Sequence, residues 1–168
     1  PAKDTWPWLI QLGYGRGGWY AWSPLGNDEG IGPKVASAKK IRSEYQQLKI
    51  GDILLDGPGS KKKKGAWAVK MYYQDRALIL YSAREINTGN EFDPKGPKPT
   101  EEYIICSCAF VLEPINKIST RLVLRTRADI GPEHWTQFIR FLFIPGDTVR
   151  QRSILDGIKE RLEQSGTA

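Results

Sequence analysis

The chain is organised around one aromatic run, Trp6-Pro7-Trp8-Leu9-Ile10-Gln11-Leu12-Gly13-Tyr14-Gly15-Arg16-Gly17-Gly18-Trp19-Tyr20-Ala21-Trp22. It holds four of the six tryptophans and is broken by four glycines. Pro7 is compatible with the first turn of a helix, where the backbone N–H that proline lacks would have no acceptor within the helix. Asp4 or Thr5 would be the N-cap of this helix. The glycines then end this short helix and let the backbone turn tightly.

The aromatic side chains that follow the glycines permit two interpretations. Trp19, Tyr20 and Trp22 are large and apolar, yet each carries a polar tip that seeks a partner. Beside a glycine-rich bend, such residues form either the wall of a pocket or the edge of an ordinary core. The sequence leaves both interpretations open.

Composition describes a globular chain of 168 residues, of which 40% are hydrophobic and 26% charged. This length favours a single domain, and no run approaches the roughly 20 apolar residues of a membrane helix. A net charge of +6 raises nucleic acid or an anionic membrane as partners. However, four of the positive charges form the run Lys61–Lys64, which is typical of a solvated loop and has no aromatic residues interleaved. We therefore expect nucleic acid to be an unlikely partner and membrane contact to be possible.

The thiols and the histidine argue against a metal site. Cys106 and Cys108 are two residues apart in a strand pattern, so they share a face and are poorly placed to bridge each other. With His134 as the single histidine, no zinc-ligand set is present. We expect no metal, no cofactor and free thiols in a reducing, cytoplasmic compartment, although a targeting or anchor segment lost ahead of Pro1 would change that location.

The order of elements predicts an α+β domain with its helices on one face of an antiparallel sheet. We expect a helix over 38–45, a strand within 48–55, hairpins over 66–84 and 103–128, and C-terminal helices over 133–143 and 148–164 separated by Pro145-Gly146-Asp147. The last of these helices should carry an apolar stripe made of Val149, Ile154, Leu155, Ile158 and Leu162. In the first hairpin one face should carry Trp67, Val69, Met71 and Tyr73. In the second hairpin, Leu122 and Leu124 should face the core, with three arginines, Arg121, Arg125 and Arg127, facing solvent.

Four blocks in register resemble one branch of the START-like, polyketide cyclase/dehydrase-like (SRPBCC) superfamily. They are the aromatic run, Leu48–Asp52, Ala109–Pro114 with Thr120–Arg125, and Pro145–Asp147 continuing into Leu155–Arg161. The resemblance covers almost all of residues 1–168 and implies a helix-grip fold. In this fold a curved antiparallel sheet wraps around a long C-terminal helix, and an apolar cavity lies between the sheet and the helix. It also implies an edge strand before the first helix, so the chain reads as one domain truncated at its N-terminus.

The implied cavity favours a carrier or sensor of a lipid, polyketide or aromatic metabolite. We expect three groups of ligand-binding residues, at the mouth, on the strands and on the helix: Trp19, Tyr20 and Trp22; Tyr81 and Tyr103; Phe138, Phe141 and Leu142. No Ser/His/Asp set, carboxylate pair or nucleophile elbow is legible. Gly13, Gly15 and Gly18 have the spacing of a dinucleotide-binding motif, but they follow a helix pattern rather than a strand, so we do not expect a dinucleotide site.

Two alternatives remain open. The first is a cyclase or dehydratase that uses general acid–base chemistry, with His134, Tyr81, Tyr103, Arg16 and Asp156 as candidates. Asp156 is explained equally well by helical pairing with Arg152 or Lys159. The second, minor alternative is RNA or anionic-membrane binding through the lysine run and the arginine face.

Overall fold

The computed structural model of the chain describes residues 1–21, 37–57 and 65–165, with 133–144 described by their backbone alone. Helix α1 spans Ala2–Ile10, and a single 3-10 turn spans Ser43–Tyr45. Five strands follow, β1 (Ile53–Leu55), β2 (Ala66–Tyr73), β3 (Ala77–Glu85), β4 (Tyr103–Pro114) and β5 (Thr120–Gly131). Helix α2 (Glu133–Ser165) completes the described chain.

The strands form one curved, open antiparallel sheet in the order β1-β2-β3-β4-β5, and α2 packs on it. This arrangement confirms the predicted α+β class and both predicted hairpins. The second hairpin also confirms the predicted faces, because Leu124 lies opposite the fully buried Phe110 and Leu122 opposite Leu112. Side chains alternate between the two faces of a strand, so the intervening arginines are exposed on the other face, which we call the outer face.

A β-bulge breaks the alternation that the sequence predicts for β2. Val69 lies opposite Leu80, but the register then shifts, so Met71 lies opposite Ile79 and Tyr72 opposite Leu78. Tyr72 therefore takes the core side, with its ring centroid 6.1 Å from that of Trp6. The expectation that Met71 and Tyr73 share a face with Val69 is wrong, because an extra residue in a strand exchanges the two faces beyond it.

The N-terminal elements differ from the predicted ones in their bounds. Helix α1 begins at Ala2, with Pro7 inside it, because the Pro1 carbonyl already accepts from the backbone N–H groups of Asp4 and Thr5. The predicted 38–45 helix is only the 3-10 turn, and the strand predicted within 48–55 is limited to Ile53–Leu55. Tyr45 donates to the Gly15 carbonyl and Gln46 to the Pro7 carbonyl, so tertiary contacts as well as local propensity act on the turn.

Helix α2 continues through Pro145, so the predicted break at Pro145-Gly146-Asp147 is wrong. An interior proline costs about 3 kcal/mol through a lost hydrogen bond and a steric clash. The cost is offset by packing further along the helix, where Ile154 and Ile158 are 4% and 0% exposed. Val149, predicted to lie on the same apolar stripe, is instead 60% exposed. The core that these elements share lies between the sheet and a layer made of α1, the glycine turn and α2.

Candidate functional site

The glycine-rich turn is a closed loop that positions the two aromatic residues after it. Gly13 and Gly18 form an isolated antiparallel bridge, each donating its N–H to the other's carbonyl at 3.1 and 3.0 Å. Gly18 has φ +79°, and a Cβ there would lie 2.5 Å from Ser37 Oγ, so no other residue fits this position without rearrangement. The turn is joined to β1 by a bridge between Tyr14 and Leu55.

Trp19 is core and also borders the contact between β1 and α2. Its ring is 2% exposed, and Nε1–H donates to the Leu55 carbonyl at 3.0 Å. The guanidinium of Arg150, from α2, lies over the indole at 5.3 Å from the ring centroid. Trp19 therefore connects the turn, the end of β1 and α2 at one point.

Tyr20 is core with a satisfied hydroxyl. Its Oη accepts from Gln11 Nε2 at 2.8 Å and donates to the Trp8 carbonyl at 3.1 Å. The guanidinium of Arg161 covers the ring at 4.5 Å. Trp19 and Tyr20 therefore lie in the core, which is one of the two interpretations that the sequence allows. Neither residue lines the large cavity described next, although Trp19 borders a recess of about 20 Å³ beside that cavity.

A cavity of about 400 Å³ lies between the core side of the sheet and α2. The apolar part of its wall comes from β2, β4, β5 and the segment after β3, through Trp67, Ile86, Ile104 and Ile130. Ser82, Cys106 and Thr126 add small polar groups from β3, β4 and β5. An apolar wall with a few fixed polar groups is the usual form of a small-molecule site.

The polar wall of the cavity is formed by an ion pair between elements that are distant in sequence. Arg150 Nη2 donates to Oδ1 of Asp56, the residue directly after β1, and both side chains are about one third exposed, at 33% and 30%. Desolvation lowers the pKa of Arg150, but Asp56, followed by Cys108 and Asp147, raises it, and the net shift is upward. Arg150 is therefore a permanent cation in the wall.

Arg84 is a second arginine of the wall, and its role is structural. It is 5% exposed, and its guanidinium donates to the carbonyls of Ala66 at 3.3 Å and Gly89 at 3.1 Å. The remaining contact is an ion pair with Glu91. Because these acceptors come from β2 and from the segment after β3, Arg84 fixes one end of the cavity to the 86–102 connection.

The thiols lie on one face of β4 and are free, as predicted, and that face is the core side. Cys106 lines the cavity and Cys108 lies under α2 beside Trp19. Burial raises the pKa of each thiol from 9.0 to about 12. Because the thiolate is the reactive form, neither cysteine has the chemistry of a nucleophile near neutral pH.

Tyr81 and Tyr103 lie on the outer face, away from the cavity. Tyr81 lies opposite Ser107, and its strand neighbours Leu80 and Ser82 take the core side. Tyr103 packs edge-on against Phe92 at 5.5 Å, under the long connection between β3 and β4. The structure therefore does not bring these two tyrosines together with the cavity wall, since register rather than residue type decides which face a strand residue takes.

The other predicted ligand-binding residues cannot be placed against the cavity. Trp22 lies outside the described residues, as does Lys61–Lys64. Phe138, Phe141 and Leu142, together with His134, fall in the part of α2 described by backbone alone. Their assignment to the binding site stays a prediction.

The remaining acid–base candidates have structural partners. Arg16 donates to the carbonyls of Ile10 at 2.9 Å and Tyr45 at 3.1 Å, and desolvation lowers its pKa. Asp156 is exposed and lies 3.9 Å from Arg152, the helical pairing that the sequence predicts. Neither residue lines the cavity.

Sequence reasoning missed Arg150 and Asp56, which are separated by 94 positions. A signal was present: Arg150 precedes Ile154 by four residues and Ile158 by eight, so it lies on the buried stripe of α2. A charged residue on such a stripe indicates a buried partner, but helical spacing alone does not say which one. Asp56 was hidden for a different reason, because it reads as part of the turn Asp56-Gly57-Pro58-Gly59.

Within the described ranges, no group of three or more His, Cys, Asp or Glu side chains is placed to hold a metal ion. In that same part of the chain, neither helix combines the length and the apolar character needed to span a membrane. Fold and site thus define an α+β protein with a cavity between sheet and helix. Comparison with protein-family models, curated proteins and solved structures gives no match.

Proposed function

We propose that this chain is a helix-grip domain of the START-like type that binds a small hydrophobic molecule in its cavity, as a carrier or a sensor. The fold that supports this is a curved antiparallel sheet with a long C-terminal helix packed on it. The four sequence blocks that resemble the SRPBCC superfamily occur in the corresponding order. A cytoplasmic location is part of the proposal and agrees with two cysteines that are free.

The observation that carries the proposal is the cavity itself. The space between sheet and helix has a volume of about 400 Å³, with Trp67, Ile104 and Ile130 in its wall. It falls within the range of roughly 300–1,000 Å³ that small-molecule sites occupy. A water-filled apolar space would be stabilised by an apolar ligand, because binding removes both surfaces from water.

The first test is to identify a passenger molecule. Native mass spectrometry of the purified protein, followed by release under denaturing conditions, would show a bound apolar compound and its mass. If the protein is empty, a panel of sterols, fatty acids and aromatic polyketides is added, and a rise in melting temperature reports binding. An empty protein that gains no thermal stability from any of these would contradict the proposal.

A pair of serine variants localises the binding to the cavity. Ser82 lines the cavity from β3, whereas Ser107, on the adjacent strand, lies on the outer face. Ser82→Phe should fill part of the cavity and weaken ligand binding at least tenfold. Ser107→Phe makes the same chemical change on the other side of the sheet and should leave affinity unchanged. Equal effects of the two substitutions would place the ligand elsewhere.

A further inference from the structure

The guanidinium of Arg150 has more donors than the protein uses. An arginine carries five N–H donors, and here one amino group donates to Asp56 while the plane lies over Trp19. Among the residues that the structure describes, no other hydrogen-bond partner of Arg150 is found. One third of the side chain is exposed, and Arg150 belongs to the cavity wall. Donors are therefore available to an acceptor inside the cavity.

Spare donors in this position favour an acceptor on the ligand. A donor left without a partner when an apolar ligand displaces water costs its full desolvation penalty. A ligand with a suitably placed oxygen avoids this penalty, whereas a pure hydrocarbon does not. Arg150 is also held in place by the ion pair and by the indole of Trp19, so little side-chain entropy is lost when the acceptor binds.

The charges around Arg150 select a neutral acceptor over an anionic one. Asp56 already neutralises Arg150, and two further carboxylates belong to the same wall, Asp147, one turn earlier on α2, and Glu85, at the end of β3. The other arginine of the wall, Arg84, is paired with Glu91. Among the described residues of the wall, a ligand carboxylate would thus be desolvated beside these carboxylates with no unpaired cation to receive it, which is unfavourable.

We propose that the ligand carries a neutral carbonyl oxygen, as in a ketone, ester or amide, attached to an apolar body, and that this oxygen accepts a hydrogen bond from Arg150. The inference rests on the proposed function and specifies the chemistry of the molecule bound. The apolar body would lie against Trp67, Ile104 and Ile130, and the carbonyl would point towards α2. Arg150 thereby selects among hydrophobic molecules rather than supplying most of the affinity.

Four naphthalenes of similar size test the proposal by equilibrium dialysis against the purified protein. They are 2-acetylnaphthalene with a neutral carbonyl, 2-ethylnaphthalene without an acceptor, 2-naphthoate with an anion and 2-(aminomethyl)naphthalene with a cation. We expect the acetyl compound to bind at least tenfold more tightly than each of the other three, which is the size of effect expected of a hydrogen bond to a charged donor. Equal affinity for the ethyl and acetyl compounds, or tightest binding of either ion, would overturn the inference while leaving the cavity site intact. Binding of none of the four would also overturn the inference, and the passenger and panel experiment described above would then decide the proposed function separately.

A matched pair of double variants assigns the preference to Arg150. Arg150→Met with Asp56→Leu removes both members of the ion pair, so that the Asp56 carboxylate is not left without its cation. The control is Arg152→Met with Asp156→Leu, an ion pair on the same helix that is 85% and 71% exposed. The first variant should lose the preference for the acetyl over the ethyl compound, and the control should keep it. Retention of the preference in the folded first variant would refute the role of Arg150; if that variant does not fold, the selectivity of the unmodified protein still decides.

Discussion

At Gly157, helix α2 packs directly against the backbone of Tyr20, two residues after the glycine turn. A Cβ at this position would lie 2.0 Å from the backbone carbonyl oxygen of Tyr20 and 3.0 Å from its carbonyl carbon. Real Cβ contacts are essentially never shorter than 3.0 Å, so Gly157→Ala requires a shift of the helix or the turn by about 1 Å. The obstructing atom is backbone, and Tyr20 is itself held by its hydroxyl and by Arg161.

The magnitude follows from two opposing terms. Overpacking a rigid site costs about 1–3 kcal/mol, and we take the upper end because no side-chain rotation relieves this contact. Alanine in place of glycine in a helix interior returns about 1 kcal/mol. We therefore expect Gly157→Ala to lower the free energy of unfolding by about 2 kcal/mol.

The control is Gly146→Ala in the same helix, where nothing lies within 4 Å of the added methyl group. Without a steric term, only the helix-propensity gain remains, and stability should rise by about 0.5–1 kcal/mol. Urea denaturation followed by circular dichroism measures both variants, which should differ by about 3 kcal/mol, or about a hundredfold in the folding equilibrium constant. If Gly157→Ala is as stable as Gly146→Ala, the close packing of α2 on the turn is refuted.

Three further outcomes follow from the site and its surroundings. Trp19→Phe removes the hydrogen bond to the Leu55 carbonyl and should cost about 2 kcal/mol in urea denaturation, and a loss below about 0.5 kcal/mol would show that the indole does not anchor β1. The thiols of Cys106 and Cys108, whose folded pKa of about 12 lies above the ordinary 9.0, contribute stability that is complete below pH 9 and is lost as pH rises from 9 to 12. Hence the double Cys→Ala variant should lose less stability than the unmodified protein between pH 8 and 10.5, and parallel curves would contradict the burial of the thiols. Arg84→Met removes the donor to two carbonyls and a carboxylate, so limited proteolysis should cut the 86–102 connection faster, and an unchanged cleavage rate would show that the connection is held by other contacts.

Much of the sheet could be predicted from the sequence because alternation is a local signal. The pattern around Leu122 and Leu124 indicated both the strand and its buried face, and the spacing of Cys106 and Cys108 correctly placed the two thiols on one face. The same reasoning failed at Tyr72, because the β-bulge depends on pairing with the neighbouring strand and is not visible in the alternation of apolar and polar residues along β2. Alternation was also insufficient to place Tyr81 on the correct face, because an aromatic side chain fits either face of the sheet.

The sequence by itself determined the α+β class, the two hairpins and the apolar stripe of α2 through Ile154 and Ile158, because hydrophobic period and turn residues act over a few positions. Only the tertiary structure decided that Trp19 is core, that α2 continues through Pro145, and that Arg150 and Asp56 face one cavity. The physical reason is that ion pairing and burial depend on distances between segments that are far apart in the chain, and sequence periodicity carries no information about those distances.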